Sequence, residues 1–213
     1  NLADGDGDIA IQFEEPAAAN LVSRQLGWLH YILYAAPSYL AQYGEPNAMS
    51  DLHAHQCLRL SGAEYQPESW RQAAAAWGAI LPDTVGTDAG TVLMEACASG
   101  AGIAALPSYV SQFDDRLTPL THSKPLATLR FWLTYTERVR GMEASQPVLH
   151  WIRSCFDPVR HPCFREVYVP PQRRLPAGVA ANDTVPATPE RAPFLNAEGR
   201  PLLQGPQTTS AEG

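Results

Sequence analysis

The sequence is poor in basic side chains, with 15 lysines and arginines against 22 aspartates and glutamates and a formal net charge of -7. Affinity for duplex DNA comes mainly from many Lys and Arg side chains on phosphates, so this balance argues against a nucleic-acid surface on the chain itself. No apolar run approaches the roughly 20 residues that cross a bilayer. A chain of 213 residues that is 45% hydrophobic is still able to bury one or two modest cores.

Cysteine pairs are also lacking, because Cys57, Cys97, Cys155 and Cys163 form no CxxC motif. Three of the four lie within apolar stretches, which is typical of buried free thiols in a reducing compartment. The first residues, Asn1 to Asp4, have neither the basic nor the apolar part of a signal peptide, and no initiator Met is present. We therefore expect a cytoplasmic protein from which an upstream segment is missing.

Two strands are predicted near the start of the chain. Apolar residues alternate over Asp8–Phe13, which indicates a strand with one buried face. The run Leu29–Tyr34 is continuously apolar and aromatic except for His30, which is typical of a strand covered on both faces.

Helix signals follow the second strand. Pro37 suits the first position of a helix over Ser38–Tyr43, and Gly44 suits the residue after its end. A short helix or turn is expected around Asp51-Leu52, followed by a strand over Gln56–Leu60.

The best-marked unit comes after a predicted helix over Pro67–Trp77. Val85-Gly86 predicts a strand end, and Thr87 or Asp88 supplies an N-cap oxygen to a helix that stops at Gly100. The apolar positions of that helix recur on one face: Val92, Leu93, Ala96 and Cys97.

Strands and helices continue to alternate toward the end. Ile103–Leu106 is predicted as a buried strand closed by Pro107, and Phe131–Tyr135 has strand composition. Pro147 opens a helix with five apolar positions: Val148, Leu149, Trp151, Ile152 and Phe156. The alternation predicts an α/β fold with largely parallel, helix-covered sheets. From Gln172 onward, proline-rich sequence without any period predicts a disordered tail.

Two metal-like patterns have simpler interpretations. Asp4–Asp8 with Glu15 follows the spacing of a calcium loop, but an isoleucine stands where the loop requires a turning glycine. His53, His55 and Cys57 alternate as zinc ligands can, but no second Cys/His pair is near enough in sequence to complete a site. A polar turn and an ordinary strand entry explain both patterns, and we expect no metal or other cofactor.

No catalytic motif is found either. The glycines of Gly100-Ala101-Gly102 close a helix and precede a strand, which is the reverse of a phosphate-binding loop. The sequence has no GxSxG motif, and His150 with Ser154 is typical of a solvated helix face. We therefore do not expect an enzyme.

Several strings together resemble the effector-binding domain of LysR-type transcriptional regulators. They keep that family's order and spacing from about residue 4 to about residue 171. The strings are Asp8–Ile11, Tyr34–Ala41 with Gly44, Asp51-Leu52, His55, Cys57-Leu58, Thr87-Asp88, Ala98–Pro107, Val148–Ile152, Phe156–Pro158 and Pro162–Arg165.

The resemblance implies a two-subdomain, periplasmic-binding-protein-like (type 2) fold with a small effector in the cleft between the subdomains. Residues 1–36 and 107–171 would form parts of subdomain I, residues 37–106 subdomain II, and residues 172–213 the tail. Crossings would fall near 31–36 and 106–120. Subdomain I would be incomplete, and the DNA-binding helix-turn-helix would belong to a missing N-terminal part of a homo-oligomeric parent protein.

The predicted effector site combines two helix starts, near Pro37 and near Asp88. Helix N-termini present unpaired N–H groups, and ligands of open α/β sheets bind beyond the carboxyl ends of strands. Asp88 would repel a simple anion, so an amino-acid-like effector is favoured. The predicted residues are Ala35, Ala36, Pro37, Ser38, Thr87, Asp88 and Leu106. An extracytoplasmic solute-binding protein of similar fold is the alternative, and an enzyme on a related bilobal fold comes third.

Overall fold

The computed structural model describes residues 2, 7–16, 18, 20–61, 68, 71–72, 85–121 and 124–172. The strands are β1 (Ile9–Gln12), β2 (Leu21–Ala35), β3 (Cys57–Leu60), β4 (Val85–Thr87), β5 (Ile103–Pro107), β6 (Thr118–Pro119) and β7 (Ala127–Thr136). The α-helices with described bounds are α1 (Pro37–Tyr43), α2 (Gly90–Ala98), α3 (Glu137–Gly141) and α4 (Gln146–Cys155). Short 3-10 helices cover Met49–Ala54, Val110–Gln112, Glu143–Ser145 and Pro162–Phe164.

The long strand β2 holds the sheet together. The strand order is β1-β7-β2-β5-β3-β4, and the short β6 also pairs with β2. The first part of β2, Leu21–Tyr31, pairs with β7, and its last part, Tyr31–Tyr34, pairs with β5. The predicted strand over Leu29–Tyr34 is confirmed but begins too late, because the preceding residues of β2 include exposed polar side chains such as Arg24 and Gln25.

The prediction of a largely parallel sheet is wrong. Among the described strands, β3 pairs in parallel with β4 and β5, whereas every pair that involves β1, β2, β6 or β7 is antiparallel. Parallel strands need a crossover connection, usually a helix, and α2 provides the crossover from β4 to β5, which lie on the two sides of β3. Strand β2 runs against this unit, since Tyr34 lies opposite Ala104 and Tyr31 lies opposite Pro107.

Local signals placed several element ends correctly. Helix α1 begins at Pro37 and is followed by Gly44, whose φ of 77° is in the left-handed region that glycine tolerates. The strand β5 ends at Pro107 as predicted. The short helix around Asp51-Leu52 is the 3-10 helix Met49–Ala54, in which the Asp51 carboxylate accepts the N–H groups of Asn47 and Ala48 at 3.0 Å.

The predicted apolar helix faces are only partly buried. In α2 the side chains of Leu93 and Cys97 are buried, but Val92 is 54% exposed. In α4, Leu149 is buried, whereas Trp151 is 64% exposed and Val148 is 46% exposed. Helical spacing identifies which residues share a face, but the neighbouring elements decide which part of that face they cover.

Two hydrophobic cores lie on either side of the point where β2 changes partners. The crossover core comprises Ile32, Tyr34, Leu58, Leu93, Cys97, Ala98, Ala104, Leu106, Val110 and Leu117. The β7 core comprises Leu26, Leu29, Phe131, Leu133, Tyr135, Val139, Leu149, Cys163 and Phe164. Each large apolar side chain buried in this way stabilises the fold by about 1.5–3 kcal/mol before entropy is subtracted. A third core packs the other face of β2 against α1 and the 3-10 helix at Met49–Ala54.

Two predictions fall mostly outside the described residues. Of the helix over Pro67–Trp77, Glu68, Arg71 and Gln72 are described and are helical. The predicted tail lies outside the described residues from 173 onward.

Candidate functional site

The parallel strands β3, β4 and β5 end at one edge of the sheet, called here the carboxyl edge. Thr87 at the end of β4 lies opposite Leu60 at the end of β3. The chain that leaves β3 stays attached to this edge, because the N–H of Ser61 donates to the carbonyl oxygen of Thr87 at 2.7 Å. Leu106 is the last residue but one of β5 and lies at the same side, opposite Ile32 of β2, where it is almost completely buried.

Thr87 and Asp88 connect this edge to the start of α2. The hydroxyl oxygen of Thr87 accepts the N–H of Ala89 at 3.2 Å, and Asp88 is exposed. The N-cap residue of α2 is Ala89, so the prediction that Thr87 or Asp88 occupies that position is wrong by one residue. The first intrahelical bond is donated by Leu93 to the Ala89 carbonyl oxygen, so the N–H groups of Gly90, Thr91 and Val92 have no partner within the helix.

The other predicted site residues lie at the opposite edge. Because β2 is antiparallel to β5, its end at Ala35 and Ala36 lies beside the beginning of β5, not beside Thr87. Ser38 packs near the far end of α2, since a Cβ added to Gly100 would lie 3.0 Å from the Ser38 hydroxyl oxygen. The expectation that both helix starts lie beyond strand ends at one edge is therefore wrong.

The residues at this opposite edge also differ from Thr87 and Asp88 in their surroundings. Ala35 and Ala36 are 0% and 1% exposed and belong to the third core. Pro37 begins α1, a helix of seven residues that has no acidic side chain in its first turn. The predicted set thus separates into Thr87, Asp88 and Leu106 at the carboxyl edge and Ala35–Ser38 about one helix length away, roughly 13 Å along α2.

A buried histidine beyond the carboxyl edge was not predicted as a site residue. His30 is 1% exposed, and its Nδ1 lies 3.0 Å from the Thr128 hydroxyl while its Nε2 lies 2.8 Å from the Arg165 carbonyl oxygen. A carbonyl oxygen only accepts, so Nε2 carries the proton and donates it. The sequence contained a signal for this residue, because His30 is the polar interruption of an apolar run, but its partners are distant in sequence.

The strand β2 and the segment that follows β5 are joined by polar contacts. The N–H of Ser108 donates to the His30 carbonyl oxygen at 2.7 Å, and the Tyr34 hydroxyl donates to the Ser108 carbonyl oxygen at 2.9 Å. Burial raises the pKa of Tyr34 to about 12, so this hydroxyl stays protonated at neutral pH. These bonds fix β2 against the segment that follows β5.

An exposed charge cluster connects α2 to the same segment. Arg116 donates to both carboxylate oxygens of Glu95, at 2.9 and 3.1 Å, and to Asp114 at 2.7 and 3.0 Å. These hydrogen bonds hold the pKa of both carboxyl groups below the usual range. The end of α2 is therefore tied to the chain between β5 and β6.

His55 and Cys57, which alternate in sequence as zinc ligands can, have other contacts. His55 Nδ1 lies 3.2 Å from the Tyr39 hydroxyl, and burial lowers the pKa of His55. The Cys57 thiol donates to the Leu52 carbonyl oxygen at 3.8 Å. Within the described ranges, no group of three or more His, Cys, Asp or Glu side chains is placed to hold a metal ion.

A surface pocket of about 470 Å³ lies away from the carboxyl edge, on β2, β7 and the chain after β1. The Arg130 guanidinium lies 5.6 Å from the Trp28 ring and 5.4 Å from the Trp132 ring, with Glu14 and Glu15 nearby. We do not choose this pocket as the candidate ligand site on volume alone. The helix-start N–H groups, the Thr87 hydroxyl and the Asp88 carboxylate are all at the carboxyl edge.

The mixed sheet, its parallel β3–β4–β5 unit and the helices packed on it form an α/β domain of the periplasmic-binding-protein type. A family profile described as the LysR substrate binding domain matches residues 1–156. The chain belongs to this family. No helix within the described part of the chain is long and apolar enough to span a membrane.

Named relatives and solved structures agree with this assignment. The chain is 30% identical over 127 residues to the HTH-type transcriptional regulator CrgA of Neisseria meningitidis serogroup C, which is 56% of this chain and 41% of CrgA. It is 28% identical over 99 residues to the regulator DmlR of Escherichia coli K12, which is 46% of this chain and 32% of DmlR. The chain thus spans less than half the length of these relatives.

The structure of the CrgA regulatory domain from Neisseria meningitidis superposes with a TM-score of 0.58 at 22% identity. The match covers 72% of this chain and 78% of that domain. At this identity the likeness shows the fold, which is the periplasmic-binding-protein-like fold predicted from the sequence.

Proposed function

We propose that this chain is the effector-sensing part of a LysR-type DNA-binding transcriptional regulator and binds a small polar metabolite between two α/β subdomains. The observation that carries the proposal is the carboxyl edge, where Thr87 ends β4 and Asp88 leads into α2, with β3 between them and β5. Ligands of open α/β sheets bind at such edges.

The subdomains are proposed to be residues 1–36 with 107–171 (I) and residues 37–106 (II). Two observations support this division. The β7 core is formed entirely by residues of the proposed subdomain I. The segments 31–34 and 104–107 pair with each other where the chain changes from one half to the other, as paired crossings would.

The effector is proposed to be amino-acid-like. The unpaired N–H groups at the start of α2 and the Thr87 hydroxyl proton suit a carboxylate, and the exposed Asp88 carboxylate suits an ammonium group. Leu106, also predicted for this site, is buried in the crossover core near the end of β5, two strands away from Thr87. Ala35, Ala36, Pro37 and Ser38 are not included in this site, because they lie at the other edge.

DNA binding is proposed for a helix-turn-helix elsewhere in a homo-oligomeric parent protein, because the relatives are HTH-type transcriptional regulators. Such a regulator works in the cytoplasm and catalyses no reaction. The net charge of -7 supports a sensing role for this chain, with nucleic-acid contact left to another part.

The test is a thermal-shift screen of the full-length parent protein with L-amino acids, each compared with its amide and its N-acetyl derivative. A true effector should raise the melting temperature in proportion to its affinity, and both derivatives should raise it less. Equal shifts for all three forms would contradict an amino-acid-like effector. If the parent protein binds effector but no DNA, the solute-binding alternative is correct.

A further inference from the structure

Residues 157–172, called here the strap, lie beyond the family match, which ends at residue 156. The strap leaves the end of α4 and passes along β2 through the 3-10 helix Pro162–Phe164. It approaches β2 so closely that a Cβ added to Gly27 would lie 2.7 Å from the Phe164 carbonyl oxygen. Its path depends on a glycine at that point of β2.

The strap is fixed to β2 by a polar contact at His30. The imidazole Nε2–H donates to the Arg165 carbonyl oxygen at 2.8 Å. In the neutral ring Nδ1 is then the acceptor, and it receives the Thr128 hydroxyl proton across 3.0 Å. One buried side chain thus joins β2, β7 and the strap.

Aromatic contacts extend this attachment to the second crossing segment. The Tyr168 ring meets the His30 ring edge-on with centroids 5.4 Å apart, and Tyr168 packs against the crossover core. Earlier in the strap, the Phe164 ring lies 5.9 Å from the ring of Tyr109, which follows β5. Phe164 itself belongs to the β7 core. The strap therefore contacts both crossing segments and both cores.

His30 lies where β2 exchanges partners. The pairing with β7 ends at Tyr31, and the pairing with β5 begins at the same residue. In a two-subdomain fold, relative motion of the halves must bend the chain at this place. We propose that the strap is a hinge brace, with Tyr168 and His30 as positioning residues that restrain rotation of the two halves.

The biological meaning of the brace rests on the proposed effector function, but its contacts do not. Phe164 and Cys163 contribute to the β7 core, so removing the whole strap would damage the fold for another reason. The informative part is residues 167–172, which contain Tyr168 and whose removal keeps the peptide carbonyl of Arg165.

The experiment compares two shortened forms of the full chain, one stopped after Glu166 and one stopped after Gln172, by hydrogen exchange with mass spectrometry. The reporter is the peptide that contains the Ser108 amide, which donates to the His30 carbonyl oxygen. The internal control is the β1–β7 ladder, in which Ile11 lies opposite Leu133.

The shorter form should exchange about fivefold faster at the β2–β5 junction and at an unchanged rate in the β1–β7 ladder. Equal exchange in the two forms, or the same acceleration in both regions, would overturn the proposal. The form stopped after Gln172 should match the full chain in melting temperature, as expected if the predicted tail is dispensable.

Point variants make the same comparison if the shorter form does not fold. Tyr168→Ala should accelerate exchange at the junction, whereas Val167→Ala, at a neighbouring residue that is 76% exposed, should not. Equal exchange rates at the junction in the two variants would contradict the proposed hinge brace. No effector enters this measurement, so its failure is distinguishable from failure of the proposed effector function.

Discussion

Tyr31 of β2 lies directly opposite Pro107 of β5, at the one position where β2 is still paired with β7 and already paired with β5. This pairing brings the end of β5 to the residue of β2 at which that strand changes partners. Thr87 of β4 lies two strands further along the carboxyl edge, because β3 stands between β4 and β5. The proposed effector site is therefore connected to β2 through β3 and β5.

Replacing Thr87 by valine should weaken effector binding by about 1 kcal/mol for a neutral hydrogen bond and up to about 3 for a charged acceptor. Thr87→Ser should retain the affinity, because it keeps the hydroxyl. The matched control is Thr91→Val, an exposed position in the first turn of α2. Isothermal titration of the full-length parent protein with an effector from the screen measures the affinities, and thermal melts measure stability.

The Thr87 oxygen also accepts the Ala89 N–H, so some loss of stability is expected for Thr87→Val, on the order of 1 kcal/mol. A lowered melting point with unchanged affinity would show that this hydroxyl only supports the start of α2.

Adding a methyl group at Gly102 should destabilise the fold by about 2 kcal/mol, because overpacking against backbone forces the chain to move. The added Cβ of Gly102→Ala would lie 2.5 Å from the carbonyl oxygen of Gln56, which accepts the N–H of Ile103. Gly90→Ala is the control, since nothing lies within 4 Å of its added Cβ. Urea denaturation should show a loss for the first variant and none for the second.

Removing the Arg116 guanidinium should reduce the sensitivity of the fold to acid. Arg116 lowers the folded-state pKa of Glu95 and Asp114, so their contribution is present above the ordinary carboxyl pKa and is lost as pH falls through the lowered values. Arg116→Met should therefore flatten the fall in unfolding free energy between about pH 5 and pH 2. Arg160→Met is the control, because Arg160 forms a single exposed ion pair of 3.8 Å with Asp157. Identical pH profiles for the two variants would contradict this assignment.

The isolated chain should not bind duplex DNA with sequence specificity at physiological salt, because its net charge is -7 and phosphate contacts require basic side chains. Fluorescence anisotropy with the operator of the parent protein measures this directly. The full-length parent is the positive control. Specific binding by the isolated chain would show that part of the DNA interface lies here.

The sequence alone was sufficient for features that depend on a few adjacent residues. Proline at the first position of α1, the glycine after its last residue and Pro107 at the end of β5 each act through local backbone geometry, so they predicted element ends that the structure confirms. The ordered strings from about residue 4 to about residue 171 likewise predicted the LysR family and its fold, which the comparisons show.

The direction of β2 was decided only by tertiary structure. A strand has the same two-residue period whether its neighbour runs parallel or antiparallel, so its sequence cannot reveal the direction. That direction moved Ala35 to Ser38 away from Thr87. His30 shows the same limit: its place in an apolar run marked it as unusual, but its partners Thr128 and Arg165 are 98 and 135 residues further along the chain. Burial requires such a polar ring to be hydrogen-bonded, and only the folded arrangement of distant segments determines which groups satisfy it.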